Sequence, residues 1–413
     1  MCFLVLIAFC LLLSMVNTSY VESDEGCTID PSTKDYPKYP PLYLDVHNNW
    51  LLFNGTKKNR SFSFAYGDAI KLECSLSRYF PNFGKEAKSF KAVCKNGTTF
   101  SIMVKKKAED VDFARLGCNK QPVEKFTKKG KCGVQEDFNY YEVGYELSSG
   151  YKMLYSLCFD RKVDRTIWSR NILNNEIDTR DRNNSKPSFH PDYVFNYDVD
   201  SSYRFENQRK TLAILLESED LANNYITHEK NNFFSRGHLS PRADFIYSSW
   251  QDASYHYTNT APQWQSFNAR NWRSLEEQFR NYVEKKGEDL VIYTGTHGVL
   301  ELKNENNTNV QIFLHLDNSP DIPVPKLFWK ALGSSSKKEG IIFFGVNNPF
   351  LKEDDLNLED YILCTDHIAH PILDNIKNPE DIERGYIYTC RLSDVQDILD
   401  GFPEEFINIK MIV

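Results

Sequence analysis

Phe234–Phe245, FSRGHLSPRADF, and the run after it at Thr258–Arg280, TNTAPQWQSFNARNWRSLEEQFR, decide how this chain is read. Arg236-Gly237-His238 sets a cation and an imidazole side by side, on backbone that glycine lets approach a ligand closely. Further on the pattern turns helical. Trp272, Leu275, Phe279 and Tyr282 recur at three- or four-residue spacing, Lys285 and Lys286 come near the end, and Gly287 supplies a stop. Asn268 and Glu276 then fall at the start and in the second turn of that helix, broadly on one side of it.

Phosphodiester hydrolysis uses such parts. A neutral imidazole can take a proton from attacking water, an effect worth about 10² to 10⁴ in rate, while a metal ion and cations stabilise charge developing on phosphorus oxygens. Magnesium prefers oxygen ligands and keeps several waters, so an amide oxygen, a nearby carboxylate and the substrate phosphate make a chemically reasonable site. Each residue also has a plainer reading. A single histidine is more often structural, Asn268 could be a helix N-cap, and Glu276 could be a solvated helix carboxylate. Trp264 and Trp272 read as core aromatics in preference to partners for bases. Ser235 and Ser240 have no triad partners at diagnostic spacing, which argues against a serine hydrolase. Cys364, Asp366, His367 and His370 lack the paired thiols of a structural zinc site.

Taken together, the stretch resembles the DNA/RNA non-specific endonuclease family, whose ββα-metal (His-Me finger) core carries an Asp-Arg-Gly-His motif. The resemblance rests on Arg236-Gly237-His238, Asn259 with Pro262-Gln263, Asn268, and Trp272 with Leu275-Glu276, in the family's order and spacing. VIYTGT at 291–296 and VPKLFWK at 324–330 also look like family segments. It implies an α+β fold with a mixed sheet and helices, and cleavage of DNA, with RNA as a second substrate, through the phosphate backbone. It implies that His238 is the general base, and that Asn268 is the direct ligand of magnesium, with manganese as the other fitting ion. Glu276 acts on the metal through water, and Arg236, Asn259 and Gln263 position the phosphate or support the site. The nearest likeness is to secreted arthropod members, digestive or salivary. One departure is that Ser235 stands where many members have the motif Asp. A family arginine that contacts the scissile phosphate has no motif to place it, and Arg161, Arg165, Arg170 and Arg182 all remain candidates. The rival reading is a secreted nucleic-acid-binding protein whose nuclease site has decayed.

The rest of the chain fits an exported enzyme. Residues 1–20 read as a signal peptide, with an apolar run from Phe3 to Leu13 too short to span a bilayer. Beyond it stand eight cysteines, Cys27 to Cys390, and an even number in an oxidising compartment implies disulfides, with Cys364 and Cys390 a plausible local pair. Glycosylation acceptor triplets begin at Asn54, Asn59, Asn96, Asn183 and Asn306. The formal net charge of -8 argues against whole-molecule attraction to a polyanion, so any nucleic-acid site must be a local basic groove. Lys105–Lys107, Lys125–Lys131 and the arginines between 161 and 182 are the candidate patches. Short strand-like runs broken by turns over residues 21–150 suggest a small β-rich, disulfide-bearing module, ahead of a nuclease domain over 151–413.

Overall fold

The computed structural model describes residues 25–56, 59–133, 137–182, 184–229, 231–315, 321–334, 336–352 and 360–412; the leader expected at 1–20 and the acceptor Asn183 lie outside them. Beside a short ribbon of Cys27–Ile29 with Phe62–Phe64, the strands β1 (Leu42–Leu44), β2 (Ala69–Glu73), β3 (Ser89–Asn96), β4 (Thr99–Val104) and β5 (Lys107–Asp112) pair in chain order as a five-stranded antiparallel sheet. Ile70 and Leu72, then Phe90, Ala92 and Cys94, then Phe100 and Ile102 are buried at period two, so one face of the sheet is a core face. Disulfides Cys27–Cys94 and Cys74–Cys118 staple this small unit, mainly by limiting its unfolded chain.

The chain then enters a second sheet with β6 (Lys125–Cys132), β7 (Phe138–Leu147), β8 (Gly150–Asp160) and β9 (Arg165–Leu173). Helices α1 (Phe205–Leu216) and α2 (Glu219–Tyr225) lead to a separate two-stranded ribbon, β10 (Phe234–His238) and β11 (Thr260–Trp264), and to helix α3 (Arg273–Lys286). Strands β12 (Leu290–Val299), β13 (Pro325–Ser334), β14 (Glu339–Val346) and β15 (Ile387–Cys390) complete the large sheet in the order β15-β14-β13-β12-β9-β8-β7-β6. These pairings are antiparallel, and Lys410–Met411 adds a short parallel strand to β14, so the sheet is mixed and the class is α+β. Among the described residues no helix is long and apolar enough to cross a membrane.

The change of sheet falls between Asp112 and Lys125, well before residue 150. Strand-like runs look alike on both sides of that point, and only their pairing partners tell them apart. The KFTKKGK run, a candidate basic patch, is edge strand β6. Lys125 pairs with Glu146, and Lys129 lies 4.0 Å from Glu142, both on β7. Lysines along an edge keep its unpaired backbone groups from recruiting another strand.

The large sheet is buried on both faces. Along β13, Phe328 and Leu332 join a cluster with Leu275 and Phe279 of α3, while Leu327, Trp329 and Ala331 join another with Phe402 and Phe406. Ring centroids of Phe279 and Phe343 are 5.2 Å apart, and those of Trp272 and Phe328 5.6 Å. Burying each such ring stabilises the fold by about 1.5–3 kcal/mol. Gly287 ends α3 in the left-handed region at φ 69°, as its position predicts. The small sheet shares the first of these cores, for Tyr43 and Phe53 meet Tyr247 at 5.4 and 5.1 Å, and Trp50 meets Trp250 at 4.8 Å. It therefore rests on the segment just after the His238 loop. Cys132–Cys158 ties β6 to β8, and Cys364 pairs with Cys390.

Candidate active site

The ribbon passes directly into a helix, giving the ββα order. Its register sets Ser235 against Gln263, Gly237 against Ala261 and His238 against Thr260. A Cβ added at Gly237 would stand 2.4 Å from Gln263 Oε1 and 2.7 Å from Gln263 Cβ, so the motif glycine is required by close packing. Asn347 ties this ribbon to the large sheet, accepting from Trp264 N at 2.9 Å and donating to the carbonyls of Pro262 and Pro325.

His238 sits between the rings of Phe189 and Tyr255, at centroid distances of 5.2 and 5.0 Å. Its Nε2 is enclosed and has no hydrogen-bond partner among the described residues. Burial pushes the imidazole pKa down to about 4, and the cations Lys186 and Arg242 push it the same way. It is thus neutral near pH 7, the form a proton acceptor needs.

The neighbours divide by what their polar atoms do. The Arg236 guanidinium lies 4.8 Å from the Tyr203 ring centre and 5.6 and 5.7 Å from those of Phe189 and Tyr257, and pairs with Asp200. Tyr257 donates to the same Asp200 carboxylate at 2.6 Å; that bond and Arg236 hold its pKa below the usual range. Of the two roles expected of Asn259, positioning the phosphate or supporting the site, its surroundings fit the second. It is fully buried, accepts from Ser240 N at 3.0 Å, and donates to the carbonyls of Ser240 and Ser254 at 2.8 and 2.9 Å. With its amide wholly engaged by backbone, it clamps the loop after His238. Gln263 is also fully buried beneath Gly237, and its amide atoms have no partner among the described residues.

Asn268 is inside the helix, not at its N-cap: the helical path begins at Gln265, and Asn268 has φ −55° and ψ −45°. Residues Asn268–Trp272 form a π turn before α3. In a regular helix eight positions leave two side chains about 80° apart, but a π turn absorbs about one extra residue and cuts that to about 20°. Asn268 and Glu276 consequently share a face more closely than their spacing predicts. Asn268 Nδ2 donates to Ser235 Oγ at 2.9 Å, and Ser235 Oγ donates to the Gln263 carbonyl at 2.9 Å. The amide is turned with its nitrogen toward the ribbon and its oxygen away from that bond.

Burial raises the Glu276 carboxyl to about 7 against the opposing charges of Lys330 and Arg280, and among the described residues it has no ion-pair partner. Nearby, Arg280 and Asp244 form a buried pair at 2.8 Å, and buried Lys330 donates to Thr294 Oγ1 at 2.6 Å. An oriented amide oxygen with a half-buried carboxylate that has no ion-pair partner among the described residues is a donor set that fits a hard divalent cation. Among the described residues no three His, Cys, Asp or Glu side chains form a metal cage, which an ion retaining its waters does not require.

The arginine candidates are engaged elsewhere. Arg161 donates to the Val194 carbonyl, Arg165 pairs with Asp400 at 2.9 Å, Arg170 with Glu405 at 2.8 Å, and Arg182 with Asp178 at 2.6 Å. The cations that bear on His238 are Lys186, exposed, and Arg242, which donates to Gln251 Oε1 at 3.2 Å. Neither stood out in sequence, though Lys186 lies in the polar loop DRNNSKPSFHP. A second histidine was also missed: buried His256 lies between Asp192, at 2.5 Å from Nδ1, and Glu124, at 3.3 Å from Nε2. Asp192 also accepts from Thr258 N and Oγ1, both at 2.8 Å, so this clasp fixes the segment carrying Asn259. Trp264 and Trp272 are fully buried, as core residues should be.

The DNA/RNA non-specific endonuclease family model matches residues 136–395, more than half of the chain. A salivary endonuclease of Lutzomyia longipalpis is 28% identical over 341 residues, covering 82% of this chain and 76% of the relative. Salivary protein Tsal2A of Glossina morsitans morsitans is 24% identical over 400 residues, 93% of each chain. A solved EndoG/EndoGI complex aligns at 17% identity and TM-score 0.31 over 56% of this chain and 80% of that one.

Proposed function

The chain belongs to the DNA/RNA non-specific endonuclease family, and we propose that it is a secreted, divalent-metal-dependent enzyme that cleaves DNA, and RNA as well, with little sequence preference. The observation that carries this reading is His238, neutral and enclosed at the end of a ribbon whose other members align Asn268. In this reading His238 accepts the proton of the attacking water. Lys186 and Arg242 favour the neutral imidazole beforehand and attract the substrate phosphate. Arg236, fixed by Asp200 and three aromatic rings, holds the phosphate's orientation, and Gln263 and Asn259 keep ribbon and loop in register. Asn268 Oδ1 and, through water, Glu276 would hold magnesium or manganese, which when bound supplies positive charge beside the phosphorus oxygens. Contacts to backbone phosphate carry no base information, hence the weak sequence preference.

Secretion is supported by the paired cysteines and by salivary relatives. The rival, a binding protein with a decayed site, needs Ser235 to fail where an Asp would serve. Its hydroxyl accepts the Asn268 amide, which favours an operating site. The test is nicking of supercoiled plasmid by the purified protein with magnesium and with EDTA. Nicking only with magnesium supports the reading; a folded protein that retards plasmid without nicking it supports the rival.

A further inference from the structure

A cavity of about 580 Å³ lies between the small sheet's unit and the nuclease part, walled by Tyr36, Tyr39 and Tyr247 with Arg60, Asn184 and Asp252. That volume is within the range of small-molecule sites, about 300–1,000 Å³. It adjoins the segment that leads to the catalytic loop. Asn184 lines the cavity, its carbonyl accepts from Arg242, and five residues on the Phe189 ring packs against His238. Five residues span at most about 17 Å, which is about five nucleotide steps along a strand.

We infer that this cavity holds a nucleobase of the bound strand, within about five nucleotides of the scissile phosphate, stacked on Tyr39 and followed by a phosphate over Lys38. This rests on the nuclease reading and gives the N-terminal unit a part in substrate binding. Tyr39 is half-buried and, among the described residues, its ring meets no other ring; Lys38 Nζ stands 5.2 Å from its centre. Lys38 is exposed and has no ion-pair partner among the described residues. By contrast Tyr36, Tyr43 and Phe53 are packed on one another with centroids 6.4 Å apart and serve as the wall. The carboxylates choose between base and phosphate as the occupant. Asp181 and Arg60 pair at 3.7 Å and offset each other, which leaves Asp252, accepting from Asn184 Nδ2 at 2.7 Å, to repel a phosphate inside the cavity, whereas a carboxylate accepts from base amino groups.

The test binds the whole mature protein, in EDTA, to a short single-stranded oligodeoxynucleotide carrying 2-aminopurine, whose fluorescence stacking quenches. Wild type should quench it, Tyr39→Phe should do so equally, and Tyr39→Ala should lose the quenching and bind about 5- to 150-fold more weakly, the value of one base stack. Lys38→Ala, an exposed change that leaves folding alone, should lower the salt slope of binding by about one. With magnesium, Tyr39→Ala should raise KM and leave kcat unchanged. Quenching and affinity in Tyr39→Ala equal to wild type would overturn the inference, as would a wild type that does not quench. A wild type that quenches but never cleaves overturns the nuclease reading and leaves the subsite standing.

Discussion

Ser235→Ala removes the hydroxyl that both anchors to the Gln263 carbonyl and accepts the Asn268 amide, each at 2.9 Å. Two hydrogen bonds of this kind stabilise a fold by about 0.5–1.5 kcal/mol each, so unfolding stability should drop by about 1–3 kcal/mol. The larger consequence is local. Without its acceptor the Asn268 amide can rotate and present nitrogen where oxygen is needed, and losing such a supporting contact costs about 10- to 100-fold in metal affinity. The magnesium concentration for half-maximal nicking should therefore rise by about 10- to 100-fold, with the maximal rate recovered at saturation. Ser235→Asp, which restores an acceptor, should return the midpoint toward wild type. The assay is a magnesium titration of plasmid nicking beside chemical denaturation of each variant. If folded Ser235→Ala keeps the wild-type midpoint, either Asn268 is not the ligand or Ser235 does not orient it, and the account of the site fails.

Three further outcomes follow from other contacts. Burial alone would lower the His256 pKa, but Asp192 and Glu124 prevail and raise it to about 9. With a folded value above the unfolded one, its contribution is full below about 6.5, and up to about 3 kcal/mol is lost as pH rises through about 9; thermal melts of wild type should show this loss, and melts of His256→Gln should not. Because burial lowers His238 to about 4, its ring resonances, followed by NMR, should titrate well below pH 6.5, and a His238 midpoint at 6.5 would contradict an enclosed Nε2. Gly237→Ala sets a Cβ 2.4 Å from Gln263 Oε1; it should destabilise by about 1–3 kcal/mol and lower kcat by about 10²-fold through displacement of His238, whereas wild-type kinetics would show that the ribbon yields without moving the site.

Much of the site was legible because it is local: strand, turn and helix signals over Phe234–Gly287 lie within one stretch, and Cys364–Cys390 closes a short loop. What was hidden depends on distant partners. Arg165 and Arg170 look like phosphate ligands until Asp400 and Glu405, each 235 positions away, claim them. That two lysines of β6 pair with glutamates of β7 also emerges only from the strand pairing. Asn259 carries a plausible catalytic amide, and only burial against the Ser240 and Ser254 backbone shows it to be a clamp. The π turn that draws Asn268 toward the Glu276 face has no composition signal, and His256 becomes a clasp only when Glu124 and Asp192 arrive from separate segments.

The most direct test of the central claim is plasmid cleavage by His238→Ala, with folding checked by its melt and DNA binding by gel retardation. Intact folding and binding are expected, with cleavage reduced by about 10² to 10⁴, the worth of a positioned base. Cleavage at the wild-type rate by that variant would contradict the claim.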